Sequence, residues 1–128
     1  MASKDRKRYK SKNLFDSFKH AFNGIIYGIK NTRNLKIDLF VAIVVIILGF
    51  VLKVSLIEWT ILILCIALVM SLELINTAIE EAVNLAMPNI HPIAKISKDV
   101  AAGAVMFFAL ASAVIGIIIF LPKIIDLF

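Results

Sequence analysis

Glu73, Asn76, Thr77, Glu80 and Asn84 are spaced i, i+3, i+4, i+7 and i+11, so one helix would carry all five on a single face. They follow an uncharged run of 14 residues, Trp59–Leu72, and so lie where an apolar helix leaves a membrane. An ionised group costs about 2.5–3.5 kcal/mol at a bilayer centre and less toward the interface, which makes such a stripe a functional-site hypothesis. A polar clamp between helices would account for Asn76 and Thr77. It accounts poorly for two carboxylates on one face, which repel. Glu81 points away from the stripe and reads as a solvated or interfacial charge. Two carboxylates at an interface suit a divalent cation plus a general base. Oxygen ligands indicate Mg²⁺, which binds through one or two carboxylates together with phosphates. Lys98 and Asp99 precede the next apolar run. A lysine there can neutralise phosphate oxygens, and an aspartate in a first helical turn is favoured by the helix dipole. The pattern describes a small site at one membrane face, able to handle a phosphate and a lipid.

The remaining sequence must place that stripe at a membrane. The chain has 128 residues, 61% of them apolar, with a mean hydropathy of +0.95. A soluble domain is about 45–50% apolar, and a chain this short has too little interior to hide the excess. Cys65 is the sole cysteine, which excludes an intrachain disulfide and a cysteine-only metal site. There is no Ser–His–Asp set, no metal-binding His pair and no P-loop, G-x-G-x-x-G or H-E-x-x-H motif.

Net charge is +5, and residues 1–13 carry all of it, with six Lys/Arg against Asp5. A basic arm beside a membrane is drawn to anionic headgroups. Nucleic acid is the competing partner and is not expected, because no aromatic residues are interleaved. A cleaved signal peptide is not expected either, since the first apolar run begins late. Residues 14–29 repeat Leu14, Phe15, Phe18, Ala21, Phe22, Ile25, Ile26 and Ile29 with helical spacing, which predicts an amphipathic helix lying in the interface. Gly24 and Gly28 form a small-xxx-small pair.

Three apolar runs follow, Leu39–Leu52, Trp59–Leu72 and Val100–Leu121, of 14, 14 and 22 residues. A helix needs about 20 residues to span a bilayer, so the first two must include charged ends. Ser55–Glu58 is expected to form a tight outer turn, with Trp59 at the headgroups. Small residues in the third run, among them Gly103, Ala109, Ala113 and Gly116, suit close helix packing. Twelve Lys/Arg lie before the first span or in the 85–99 loop, against Lys53 and Lys123 elsewhere. That asymmetry puts the N-terminus in the cytoplasm and the C-terminus outside. The expected organisation is a basic arm over 1–13 and one all-α membrane domain over 14–128. Its surface helix would cover about 14–32 and its transmembrane helices about 35–54, 58–85 and 98–121.

Glu73-Leu-Ile-Asn-Thr-Ala-Ile-Glu80, followed by Lys98-Asp-Val-Ala-Ala-Gly103, resembles the prokaryotic diacylglycerol kinase family over roughly residues 14–122. Asn34 within Arg33–Ile37, and Lys53–Trp59, are similar to its Gram-positive branch, whose usual substrate is undecaprenol. The resemblance implies a homotrimer in a bacterial membrane, with three transmembrane helices and one surface helix per subunit. It implies transfer of the γ-phosphate of ATP, with Mg²⁺, to a lipid hydroxyl. Glu73 would then be the general base and Glu80 would hold the Mg²⁺ bridging ATP. Lys98 and Asp99 would engage the nucleotide, with His91 and His20 as further candidates there. Asn76, Asn84, Asn34 and Asp38 would support the site.

Two positions depart from the family pattern. Thr32 stands where a second metal-binding Glu is common, and Asn84 where Asp is common. The loss of up to two negative charges predicts weaker Mg²⁺ binding, unless Asp38 or the ATP phosphates compensate. Diacylglycerol is the alternative acceptor. A disarmed relative acting as a membrane binding or assembly protein is the non-enzymatic alternative. A small transporter is disfavoured, because a stripe near one end gives no path through the bilayer.

Overall fold

The computed structural model describes residues 13–128, so all but the last residue of the basic arm lies outside the described residues. The described residues form four helices and no strands: α1 (Leu14–Asn31), α2 (Arg33–Val51), α3 (Leu56–Ala86) and α4 (Pro92–Ile125). The last three are long and apolar enough to cross a membrane. At about 1.5 Å per residue, α2 matches a hydrocarbon core about 30 Å thick. The 31 residues of α3 and the 34 of α4 exceed that core. Their excess lets polar residues stand outside the lipid.

Local chemistry sets each boundary. Asn13 caps α1 by accepting from the Asp16 amide at 2.9 Å. Thr32 is extended and separates α1 from α2, its amide closing onto Gly28 O at 2.9 Å. The turn between α2 and α3 lies one step before its expected place. It is made by Leu52–Val54, with Lys53 at φ 54° and the Val54 amide bonded to Gly49 O at 3.1 Å. This is a Schellman ending with a lysine in the left-handed region that glycine prefers. Ser55 and Glu58 belong to α3, where they form a reciprocal capping box. α4 begins at Pro92 rather than near residue 98, because proline is preorganised for a first turn. His91 caps it, Nδ1 accepting from the Ile93 amide at 3.1 Å. Asp99 is therefore two turns inside α4, and the first-turn dipole argument for it fails.

α3 and α4 run side by side over the longest interface, α2 packs on α3, and α1 crosses the α2 and α3 ends. The core sits at the end of the α2–α3 turn, where Val54, Leu62, Ile119 and Phe120 are buried together with Leu48 and Trp59 packed against them. Lys123 of α4 pairs with Glu58 of α3 at 2.8 Å at that same end. Large apolar side chains such as Phe40, Ile47, Ile63, Leu64, Phe107 and Ile118 are exposed on the outer faces of the spans, as lipid or partner subunits require.

Two glycines are required by close approach. A Cβ on Gly28 would lie 2.6 Å from Leu74 and 2.8 Å from the fully buried Leu35. A Cβ on Gly49 would lie 2.4 Å from the Trp59 ring, which is also held against Phe50 with centroids 4.9 Å apart. Trp59 thus packs into the α2–α3 corner as well as marking its end of the span. Overpacking costs about 1–3 kcal/mol, and a tryptophan ring has little freedom to yield. Gly49→Ala is expected to lose that much stability, read as a lower midpoint of denaturant unfolding in micelles, whereas Gly24→Ala, with open space at Cβ, is expected to be neutral.

Candidate active site

The start of α2, the second half of α3 and the start of α4 meet at the end away from the core. Glu73 is 2% exposed and Asn76 5% exposed there, although both are polar. Burying such groups is costly unless they are hydrogen-bonded, and each has a partner. Asn34 Nδ2 donates to Glu73 Oε1 at 3.2 Å. Asn76 Nδ2 donates to Glu80 Oε1 at 3.3 Å. Thr77 Oγ1 donates to Glu73 O at 3.0 Å and meets Thr32 Oγ1 at 3.3 Å. Glu73 and Thr77 form one bonded group that ties α3 to the α1–α2 corner through Asn34 and Thr32, and Asn76 with Glu80 forms a separate pair.

Two cavities flank it. The first, about 240 Å³, is lined by Asn34, Asp38, Glu73 and Asn76, with Ala102, Val105 and Met106 of α4 closing the opposite wall. Asp38 Oδ2 and Asn76 Oδ1 are buried with no hydrogen-bond partner among the described residues. Orphaned buried oxygens of this kind call for a ligand, ion or water to satisfy them. The second cavity, about 300 Å³, is lined by Tyr27, Asn31, Thr32, Arg33, Asn34, Thr77, Glu80 and Glu81. Glu73 and Glu80 therefore border different spaces, with Asn34 bordering both.

The other sequence candidates fall into place unevenly. Lys98 Nζ donates to Asn84 Oδ1, which draws α4 onto the end of the stripe. Asp99 turns to Lys95 at 2.5 Å, an exposed i, i+4 pair. His91 is occupied as the α4 cap. His20 is exposed on α1 and borders neither cavity. The structure adds Tyr27, whose hydroxyl donates to Glu81 Oε1 at 3.5 Å, and Arg33 and Asn31 beside Glu80. Tyr27 lies outside the apolar repeat of α1, the one sign of a separate role that its position gives.

No group of three or more His, Cys, Asp or Glu residues is gathered to cage a metal among the described residues. Mg²⁺ does not need one, because it keeps several waters and takes one or two carboxylates plus substrate phosphates. Glu80, the neighbouring Glu81 and the Thr32 hydroxyl border one space and fit that sparse donor set.

The model of prokaryotic diacylglycerol kinase matches residues 19–120, nearly the whole described chain. The chain belongs to that family. It is 47% identical over 123 residues to an undecaprenol kinase of Bacillus subtilis, covering 96% of this chain and 99% of that one. It is 40% identical over 116 residues to a diacylglycerol kinase of Synechocystis, covering 90% of this chain and 66% of that one. A diacylglycerol kinase of Haemophilus influenzae is 30% identical over 105 residues, 82% of this chain and 86% of that one. Membership in this family of lipid kinases, with three apolar spanning helices, makes the chain a bacterial membrane enzyme.

Proposed function

We propose that this chain transfers the γ-phosphate of ATP, with Mg²⁺, to the hydroxyl of undecaprenol at the cytoplasmic face of the membrane. The observation that carries the reading is Glu73, a buried carboxylate held by Asn34 at the polar end of three apolar spans and facing a cavity. The near-full-length match to an undecaprenol kinase supports that acceptor over diacylglycerol. The lysine and arginine asymmetry supports the cytoplasmic placement, where ATP is available.

Glu73 acts as the base. Its Oε1 is occupied by the Asn34 amide, which fixes the carboxylate and leaves Oε2 to take the hydroxyl proton. The acceptor oxygen then bonds to the γ-phosphorus as the bond to ADP breaks. Phosphoryl transfer of this kind is mainly positioning and charge neutralisation, and needs few side chains. Mg²⁺, when bound, neutralises charge on the transferring phosphates. Glu80 would hold it, with Thr32 offering a hydroxyl where the family commonly has Glu. Asn76 keeps Glu80 oriented, and its Oδ1 faces the acceptor side. Asp38 supports the same space. Lys98, positioned by Asn84, meets the nucleotide phosphates, and Asp99 lies one residue beyond. His91 and His20 are left with secondary parts on the nucleotide side.

The exposed Phe/Ile face of α1 lies in the membrane interface. The cavities are open and the spans expose much apolar surface, which supports a homotrimer in which neighbours complete each site. Lys98→Met is expected to raise KM for ATP about tenfold, the factor that ~1.4 kcal/mol of phosphate contact represents, with KM for the lipid unchanged in a steady-state assay.

The deciding experiment is transfer from labelled ATP in micelles containing Mg²⁺, with undecaprenol and diacylglycerol as competing acceptors. Preferential phosphorylation of undecaprenol is expected. Preference for diacylglycerol would move the acceptor, and no transfer to either by folded protein would reject the kinase reading for this chain.

A further inference from the structure

Arg33 opens α2 and lines the Glu80 cavity, where it is the one cation among the lining residues, beside Glu80 and Glu81. A guanidinium pairs best with a carboxylate through two parallel hydrogen bonds, but here both acids are met by neutral donors. Asn76 Nδ2 donates to Glu80 Oε1 at 3.3 Å, and the Tyr27 hydroxyl donates to Glu81 Oε1 at 3.5 Å. The ion pairs among the described residues are Lys95–Asp99 and Lys123–Glu58, and Arg33 takes part in neither. Its position also works against its own helix. A cation at a helix N-terminus opposes the helix dipole, at about 0.3–1 kcal/mol. The first turn of α2 holds no acidic residue and no side-chain cap to offset this, because Thr32 Oγ1 is turned to Thr77. Positive charge is thus gathered on the wall of a cavity that already holds two carboxylates, and α2 supplies no anion to answer it.

Asn34, the next residue, is the one lining residue that the Glu73 and Glu80 cavities share, and its amide holds Glu73. With the acceptor hydroxyl at Glu73 and the nucleotide at Glu80, a phosphoryl group passing between them crosses at Asn34, next to Arg33. We propose that Arg33 is a catalytic residue that grips the γ-phosphoryl group during its transfer, its planar fork meeting two of the non-bridging oxygens. The assignment rests on the kinase reading above. In that step the acceptor oxygen bonds to the γ-phosphorus and the bond from that phosphorus to the β–γ bridging oxygen breaks. ADP leaves with the electron pair, and Glu73 takes the hydroxyl proton. Arg33 stays protonated throughout. Lys98, a point charge drawn to the end of the stripe by Asn84, meets phosphates that are already charged in the bound nucleotide. Arg33 acts on charge spread over the equatorial oxygens of the group in flight, and an interaction made only then falls on kcat rather than on KM.

The test compares Arg33→Gln and Arg33→Lys with the unaltered full chain in micelles containing undecaprenol. One arm is steady-state transfer from labelled ATP. The other is thermal unfolding with ADP and Mg²⁺, and with the same mixture plus aluminium fluoride, which mimics the phosphoryl group in flight. Arg33→Gln is expected to lower kcat by about 10²-fold, the lower end for loss of one preorganised donor, because Arg33 is exposed. KM for ATP should change little. Arg33→Lys keeps the charge but loses the fork, and should recover part of kcat. The further rise in midpoint that aluminium fluoride gives the unaltered chain should vanish in Arg33→Gln, while the rise from ADP remains. A countercharge that only steadies Glu80 and Glu81 would not separate the two probes. A raised KM for ATP at unchanged kcat, or kinetics unchanged throughout, would overturn the proposal, as would an aluminium fluoride response that Arg33→Gln keeps. Should Arg33→Gln fail to fold, Arg33→Lys decides, since its kcat must fall and its aluminium fluoride response shrink with the ADP response intact. Transfer by the unaltered chain with an indifferent Arg33→Gln rejects Arg33 alone. No transfer to undecaprenol or diacylglycerol, with an aluminium fluoride response that depends on Arg33, rejects the lipid-kinase reading and upholds the phosphate contact.

Discussion

Glu73→Gln is expected to lower phosphate transfer by about 10²–10⁴-fold, the contribution of a positioned general base. It should do so with little change in folding. Glutamine is the same size, and its carbonyl oxygen can still accept from Asn34 Nδ2, the bond now made at 3.2 Å. The backbone carbonyl that receives Thr77 Oγ1 is untouched. What disappears is the charge on the second oxygen, the one that takes a proton. The loss should fall on kcat and leave KM for ATP in place, because Glu73 and Glu80 border different cavities. Asn34→Ala offers the complementary measurement. It leaves the base charged but removes the amide that fixes it, so a smaller loss is expected, and Asn34→Gln should recover less than full activity because its longer arm moves the donor. Equal activity of Glu73→Gln and the unaltered protein in a labelled-ATP assay would assign the base elsewhere, with Asp38 the nearest carboxylate on the same cavity wall.

The stripe on α3 was legible from sequence because its five polar residues fall on one helical face inside an apolar context. That inference needs only the 3.6-residue period. The three spans were legible from their uninterrupted apolar runs, and the helices that carry them extend beyond those runs, α4 from Pro92 to Ile125. Pro92 reads as a breaker until the chain is seen to enter a helix there, and Ser55 and Glu58 read as turn residues until they form a cap. Contacts between helices were less accessible. Nothing in the spacing of Asn34 says that it faces Glu73, 39 residues away, or that Asp38 borders both a polar and an apolar cavity. Asp99 shows the limit from the other side. Its role was drawn partly from a helix start that the structure moves two turns away, and its carboxylate is engaged by Lys95.

Thr32→Glu is expected to shift the Mg²⁺ titration of activity to lower concentration, and Glu80→Gln to shift it the other way and cut activity steeply. Both residues border the same cavity, and Thr32 meets the stripe through Thr77 Oγ1 at 3.3 Å. A threonine there supplies a neutral oxygen, whereas a glutamate adds a unit of negative charge beside Glu80 and Glu81. Metal affinity falls by about 10–100-fold when a partner merely outside the ligand shell is lost, so removing the Glu80 carboxylate should cost at least that much. Adding one at position 32 should recover part of the same range. The gain has an opposing term. Glu73, Glu80, Glu81 and a new carboxylate would repel one another without metal, and the Thr32–Thr77 contact that closes the α1–α2 corner would be lost. Thr32→Glu is therefore expected to be less stable in chelator and to regain stability as Mg²⁺ is added, by the linkage between binding and folding. Thermal unfolding in micelles with and without Mg²⁺ measures this apart from catalysis. A Thr32→Glu protein whose midpoint ignores Mg²⁺ would place the cation away from the Glu80 cavity.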